Sequence, residues 1–246
     1  MTANQNRVAI VTGASRGIGA TVAERLARDG FTVVVNYAGS AAQADDVVRK
    51  IEKVGGKAVT AQADVSKPED VRRMFQSAET AFGGIDVLVN NAGVMALSSI
   101  SDADDAAFDR QVAINLKGSF NAMREAGKHL RNGGRIINFS TSVVGLKLEN
   151  YGIYAATKAA VEAMTGIMAK EMRGRSITVN AIAPGPVATE LFLHGKSDEL
   201  IDKMAKMNPM ERLGTPEDIA NVVSFLAGPE GAWINGQVLR ANGGMI

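Results

Sequence analysis

Short apolar runs alternate with longer amphipathic stretches along most of this chain. Residues 8–11, 31–35, 57–61, 85–89, 135–139 and 177–183 are rich in β-branched side chains, and most carry apolar residues at successive positions. A strand with one wet face alternates in polarity, whereas a strand covered on both faces does not. Between these runs the apolar positions recur at helical spacing over 17–29, 41–54, 68–82 and 151–172, with one or two helices inside 102–130. A last helix over 216–227 leads to a short strand at 237–239. Such alternation predicts an α/β fold, a doubly wound parallel sheet with helices on both faces. No repeat, linker or break in composition interrupts it, so one domain is expected over 1–246.

Several boundaries have local causes. Ser66 is placed to cap the helix that begins at Pro68, with Glu69 at the capping-box position. Thr215-Pro216-Glu217-Asp218 puts proline at a first helical position and acids in the positive first turn. Gly30, Gly55 and Gly83 follow the ends of predicted helices, where a left-handed residue is usual.

Composition narrows the function classes. Lys plus Arg is 27 and Asp plus Glu is 26, so no strong net field draws in nucleic acid or a membrane surface. No run approaches the roughly 18 apolar residues of a membrane helix, and residues 1–7 lack the apolar stretch of a secretory leader. The chain has no cysteine, which excludes disulfides and thiolate chemistry and suits a reducing, cytoplasmic setting. The two histidines, His129 and His194, lie far apart without carboxylates at ligand spacing, so no metal is expected.

The segment 12–19, Thr-Gly-Ala-Ser-Arg-Gly-Ile-Gly, joins the first predicted strand to the first helix. Glycines there let the backbone approach a pyrophosphate, and the helix N-terminus faces the anion with unpaired N–H groups. Gly13, Ser15, Arg16, Gly17, Ile18 and Gly19 are therefore candidate dinucleotide contacts. An NAD-preferring site carries an acid about 20 residues further on. Here that region reads Val35-Asn36-Tyr37-Ala38, without an acid, and Arg16 is available to a 2′-phosphate. NADPH is thus expected over NADH, with Asn36 and Tyr37 near the ribose and Asp64-Val65, after the third strand, near the adenine.

Tyr154 and Lys158 stand four residues apart on a predicted helix and share a face. A lysine charge about 4 Å from the phenol at an effective dielectric near 20 is worth roughly 4 kcal/mol, as much as ~3 pKa units. The pair then suits a general acid for ketone reduction. Ser142 follows the fifth strand, Asn90-Asn91-Ala92-Gly93 the fourth and Pro184-Gly185 the sixth, so all fall at one edge of the sheet.

In these motifs the chain resembles the short-chain dehydrogenase/reductase family from Arg7 to Ile246. The resemblance implies a single-domain Rossmann fold and an NAD(P)-dependent oxidoreductase acting on CH–OH or C=O groups. It casts Tyr154 as proton donor and Ser142 as the group orienting the carbonyl oxygen. Lys158 would also bond the nicotinamide ribose, and Asn115 would hold a relay water. Asn91, Ala92, Gly93, Pro184, Gly185, Val187 and Thr189 would line the cofactor. Ser140 and Thr141 adjoin Ser142, which is chosen for its distance from Tyr154 and the Val-Val-Gly that follows. At Asn242, before Gly243-Gly244, relatives often carry aspartate.

Residues 187–210 would form a lid, here apolar through Leu191, Phe192, Leu193, Leu200, Ile201 and several methionines. An apolar small-molecule carbonyl substrate follows, with Met95, Leu146, Leu148 and Tyr151 adding to the pocket wall. The resemblance extends to 3-oxoacyl-[acyl-carrier-protein] reductases. An acyl carrier protein would need a basic mouth, for which Lys128, Arg131 and Arg135 or Lys170 and Arg173 are the options. The family also implies a homotetramer built on helix 151–172 and the one before it. The alternative is a dinucleotide-sensing module without chemistry.

Overall fold

The computed structural model describes residues 7–246, apart from the side chain of Leu191; the expectation for the first six residues lies outside that range. The element order is β1 (Arg7–Val11), α1 (Gly17–Arg28), β2 (Phe31–Tyr37), α2 (Ala41–Lys53), β3 (Lys57–Gln62), α3 (Pro68–Phe82), β4 (Ile85–Asn90), α4 (Asp105–Gln111), α5 (Ser119–His129), β5 (Leu130–Phe139), α6 (Val143–Leu146), α7 (Gly152–Glu171), β6 (Thr178–Pro184), α8 (Glu190–Leu193), α9 (Asp198–Ala205), α10 (Pro216–Ala227) and β7 (Val238–Ala241). A π-helical segment, Val112–Gly118, joins α4 to α5, and a 3₁₀ turn, Glu230–Trp233, precedes β7.

Among the described residues seven strands, all parallel, run in the order β3-β2-β1-β4-β5-β6-β7. This is the doubly wound Rossmann arrangement, whose strand order reverses direction between β1 and β4 and opens a crevice there. The unbroken apolar runs reflect cover on both faces. Ala9 and Val11 pack with Val22 and Leu26 of α1, Val47 of α2 and Val223 of α10. Their neighbours Val8 and Ile10 pack with Phe75 of α3, Ala122 of α5 and Met168 of α7. Each fully buried Leu or Phe of these layers, such as Leu26 or Phe75, contributes roughly 1.5–3 kcal/mol relative to exposure.

Four helix ends behave as their local sequence predicts. Thr215 and Asp218 form a reciprocal capping box, and Gly30, Gly55 and Gly83 take left-handed φ values of 88°, 83° and 75°. Ser66 does not cap α3. The N-cap is Lys67, without a side-chain bond, because the Asp64 carboxylate two residues earlier accepts from both the Ser66 N–H (3.0 Å) and its hydroxyl (2.7 Å). Among the described residues no helix is long and apolar enough to cross a membrane.

Candidate active site

The loop between β1 and α1 is locked from below. Thr12 is buried, and its Oγ accepts from the N–H groups of Asn91 and Ala92, both at 3.0 Å. In return the Asn91 amide donates to the carbonyls of Thr12 (2.9 Å) and Gly13 (3.0 Å). Gly13 sits at φ 62°, with a would-be Cβ 2.9 Å from the Ala92 Cα. A methyl at Gly19 would collide with the Gly13 carbonyl and stand 2.5 Å from the Asn91 amide. Gly19→Ala should therefore cost about 1–3 kcal/mol by overpacking, read as a lower thermal midpoint together with weakened NADPH binding. An unchanged midpoint would contradict this packing.

The N-terminus of α1 has no side-chain cap and no acid in its first turn. Its N–H groups thus remain for an external anion, as a pyrophosphate requires. Arg16 is solvent-exposed and within 3.6 Å of Glu190 at the start of α8. An exposed pair of this kind is worth at most about 1 kcal/mol, so Arg16 is easily released to a phosphate. Ser15 is half-buried in the loop, and Ile18 lines the cleft.

The expected cofactor contact by the Asn36 side chain does not fit its surroundings. It is buried, its Oδ1 accepts from Gly13 N–H (3.1 Å), and its Nδ2 donates to the Ala61 and Ala63 carbonyls. The residue braces the loop, which leaves half-buried Tyr37 as the side chain at that edge. One oxygen of Asp64 is occupied by Ser66. Val65 is buried against Gly118, and its carbonyl accepts from Asn121.

Tyr154 and Lys158 both project from α7 into a cleft of about 180 Å³. Lys158 is 3 % exposed, and its Nζ donates to the Phe139 carbonyl at 2.8 Å. The ammonium stands 5.9 Å from the Tyr154 ring centroid. Burial dominates both titrations. It pushes the Tyr154 phenol up to about 12, against a hydrogen bond with Thr141 that lowers it, and pushes Lys158 down to about 8. The expected lowering of the phenol by the lysine is thus corrected. At this separation the desolvated ammonium does not offset the loss of water around the phenol.

The hydroxyl beside the phenol is also not the expected Ser142. Thr141, 13 residues before Tyr154, makes the side-chain hydrogen bond to the phenol. Ser142 is turned away, its Oγ donating to the Ala183 carbonyl (3.1 Å) and accepting from Asn242 Nδ2 (3.0 Å). Ser140 donates to Glu162 at 2.5 Å. Successive side chains leaving a strand point to opposite sides, so only the middle of these three hydroxyls faces Tyr154.

Asn115 lies in the π-helical segment, a distortion frequent at functional sites. Its amide spans one residue, accepting from Val94 N–H and donating to the Val94 carbonyl, both at 2.8 Å. A Cβ on Gly93 would stand 3.3 Å from Asn115 Oδ1 and 3.5 Å from Lys158 Nζ. That glycine keeps a polar floor open between the two residues. Across the cleft, Pro184, Gly185, Val187 and Thr189 form the opposing wall. Gly185 packs against Asn242, Val187 is buried, and Thr189 caps α8. The apolar surface includes the expected Met95, Leu146, Leu148 and Tyr151. Phe192 and Met207 come from segment 187–210, and Met245 from the C-terminal tail, which no local pattern singles out. Of the candidate basic residues, Lys128 pairs with Glu125, Arg131 with Asp86, and Arg135 with the Gly133 and Gly134 carbonyls.

A family profile described as enoyl-(acyl carrier protein) reductase matches residues 13–246. The chain is 47% identical to NADPH-dependent aldehyde reductase 2, chloroplastic, of Arabidopsis thaliana, over 98% of this chain and 94% of that one. Among solved structures, a short chain dehydrogenase from Burkholderia cenocepacia J2315 in complex with NADP superposes with a TM-score of 0.93. It is 37% identical, with 98% of each chain covered. The angucycline C-6 ketoreductase LanV with bound NADP gives a TM-score of 0.92 at 36% identity, covering 97% of this chain and 95% of that one.

Proposed function

Because the chain belongs to the short-chain dehydrogenase/reductase family of oxidoreductases, we propose that it reduces a ketone to a secondary alcohol with NADPH inside an apolar cleft. The cofactor is NADP(H), as named for the Arabidopsis relative and present in the Burkholderia structure. The uncapped α1 N-terminus and the acid-free end of β2 fit such a dinucleotide. When bound, the nicotinamide supplies the hydride.

The observation that carries the reading is the convergence of two hydroxyls, Thr141 and Tyr154, above a buried cation in an otherwise apolar cleft. A carbonyl oxygen seated between them accepts a hydrogen bond from each. Thr141 orients it, and Tyr154 delivers the proton as the oxygen gains negative charge. Thr141 thereby takes the role expected of Ser142. Charged Lys158 stabilises the tyrosinate left behind, and Asn115 keeps Val94 and the cleft floor in place. Apolar walls exclude water and favour a hydrophobic substrate.

The test is NADPH consumption, followed by absorbance, against a panel of ketones, β-keto esters and acyl thioesters. Ketone reduction with NADPH ahead of NADH is expected. Arg16→Ala should raise the KM for NADPH about tenfold, the loss of one charge-assisted bond, and leave that for NADH unchanged. Equal efficiency with both cofactors in the wild type would overturn the preference. Cofactor binding without turnover on any carbonyl would favour the sensing module instead.

A further inference from the structure

Asn242 follows β7 immediately, 100 residues from Ser142, yet both of its polar side-chain atoms bond residues that line or adjoin the cleft. It is 8 % exposed. Its Oδ1 accepts from the N–H groups of Gly244 (3.0 Å) and Met245 (3.2 Å), which turns the C-terminal tail back over the cleft. Its Nδ2 donates to Ser142 Oγ, whose own proton goes to Ala183 on β6. Met245 thereby enters the substrate wall, and Ile246 reaches to 2.5 Å from where a Cβ on Gly145 would stand.

We infer that Asn242 is a positioning residue, one amide that holds both the hydroxyl loop carrying Thr141 and the tail wall carrying Met245. The inference rests on the proton-transfer role proposed for Thr141 and Tyr154. In this chain, although relatives often carry aspartate at this position, the surrounding bonds suit an amide. Ser142 already donates to Ala183, so its partner at 242 must donate, while the tail N–H groups need an acceptor. Aspartate has the same shape but only accepts. It would compete with Ala183 for the Ser142 proton and place a carboxylate in a buried position beside the hydroxyl loop. Without the Asn242 bond, Ser142 keeps only its bonds to the Ala183 and Pro184 carbonyls. The Thr141 hydroxyl beside it then loses part of what fixes its distance to Tyr154, and displacements of about 1 Å at such sites cost up to about a hundredfold in rate.

The experiment compares Asn242→Asp, Asn242→Ala, Ser142→Ala and Met245→Ala in kcat and KM, with NADPH affinity measured separately by titration. Both Asn242 variants should lower kcat at least about tenfold with NADPH affinity unchanged. Met245→Ala should raise the substrate KM at nearly constant kcat. In a Thr141→Val background, Asn242→Ala should cost little more, because the hydroxyl it positions is gone. A full multiplicative loss in that background would show a general structural effect and overturn the inference, as would an unchanged kcat in Asn242→Ala. If Asn242→Ala does not fold, Ser142→Ala against Thr141→Val carries the same comparison, since it leaves the tail bonds intact. An inactive wild type with every carbonyl would instead remove the proposed reaction. Normal wild-type turnover with an unaffected Asn242→Ala removes only this inference.

Discussion

Tyr154→Phe is expected to lower kcat for carbonyl reduction by about three orders of magnitude, within the span of positioned general acids, while NADPH binds as tightly as before. The phenyl ring keeps the packing against Tyr151, where the two rings meet edge to face at 6.5 Å. Only the proton and the bond with Thr141 disappear. Titration of NADPH into the variant separates the two effects. Turnover within tenfold of the wild type would mean that the proton comes from elsewhere. The pH dependence of the wild type follows from the same pair. Reduction requires Tyr154 protonated and Lys158 charged, and burial holds the lysine down to about 8. The reductive rate should therefore be level below that pH and fall as pH rises through it, well before a phenol at about 12 ionises. Alcohol oxidation, which needs the proton removed from Tyr154, should gain with pH over the same range. A reductive rate that climbs steadily towards alkaline pH would contradict this assignment.

Thr141→Val should cost about two to three orders of magnitude in kcat, the usual loss for one donor to a developing oxyanion, and Ser142→Ala distinctly less. Valine preserves the branched shape of threonine and replaces the hydroxyl with a methyl, so the comparison reads lost hydrogen bonds, the long one from Val143 N–H (3.3 Å) included, rather than a cavity. Ser142 acts at one remove through its bonds to Ala183 and Asn242. The reverse ranking, with Ser142→Ala the more damaging in kcat, would restore the serine to the substrate oxygen.

The choice between these neighbours shows how far local pattern reaches. Separation from Tyr154 differs by one residue between Thr141 and Ser142, and both types carry the same functional group. At a strand end, one residue of register exchanges the two faces. Asn36 illustrates the same point: the lack of an acid after β2 was legible, but not that its amide would be drawn inward by Gly13, Ala61 and Ala63. Similarly, Ser66 carries every local mark of a cap and is taken by a carboxylate two residues away. Helical spacing rightly puts Tyr154 and Lys158 in one cleft. The direction in which the phenol shifts is beyond its reach, because spacing carries no information on how much water the cleft removes.

What the amino-acid order determined alone is what depends on neighbours within a turn or a strand. Apolar periodicity sets which segments become covered strands, the glycines of 12–19 set a loop that anions can approach, and four-residue spacing sets a phenol and an ammonium side by side. Tertiary structure decided which hydroxyl meets that phenol, how far burial shifts each proton, that Met245 completes the cleft, and that Asn242 ties the tail to Ser142. Those outcomes arise from packing between residues up to 100 positions apart. No periodicity along a chain encodes such contacts, because they exist only once the sheet has brought its carboxyl-terminal edge together.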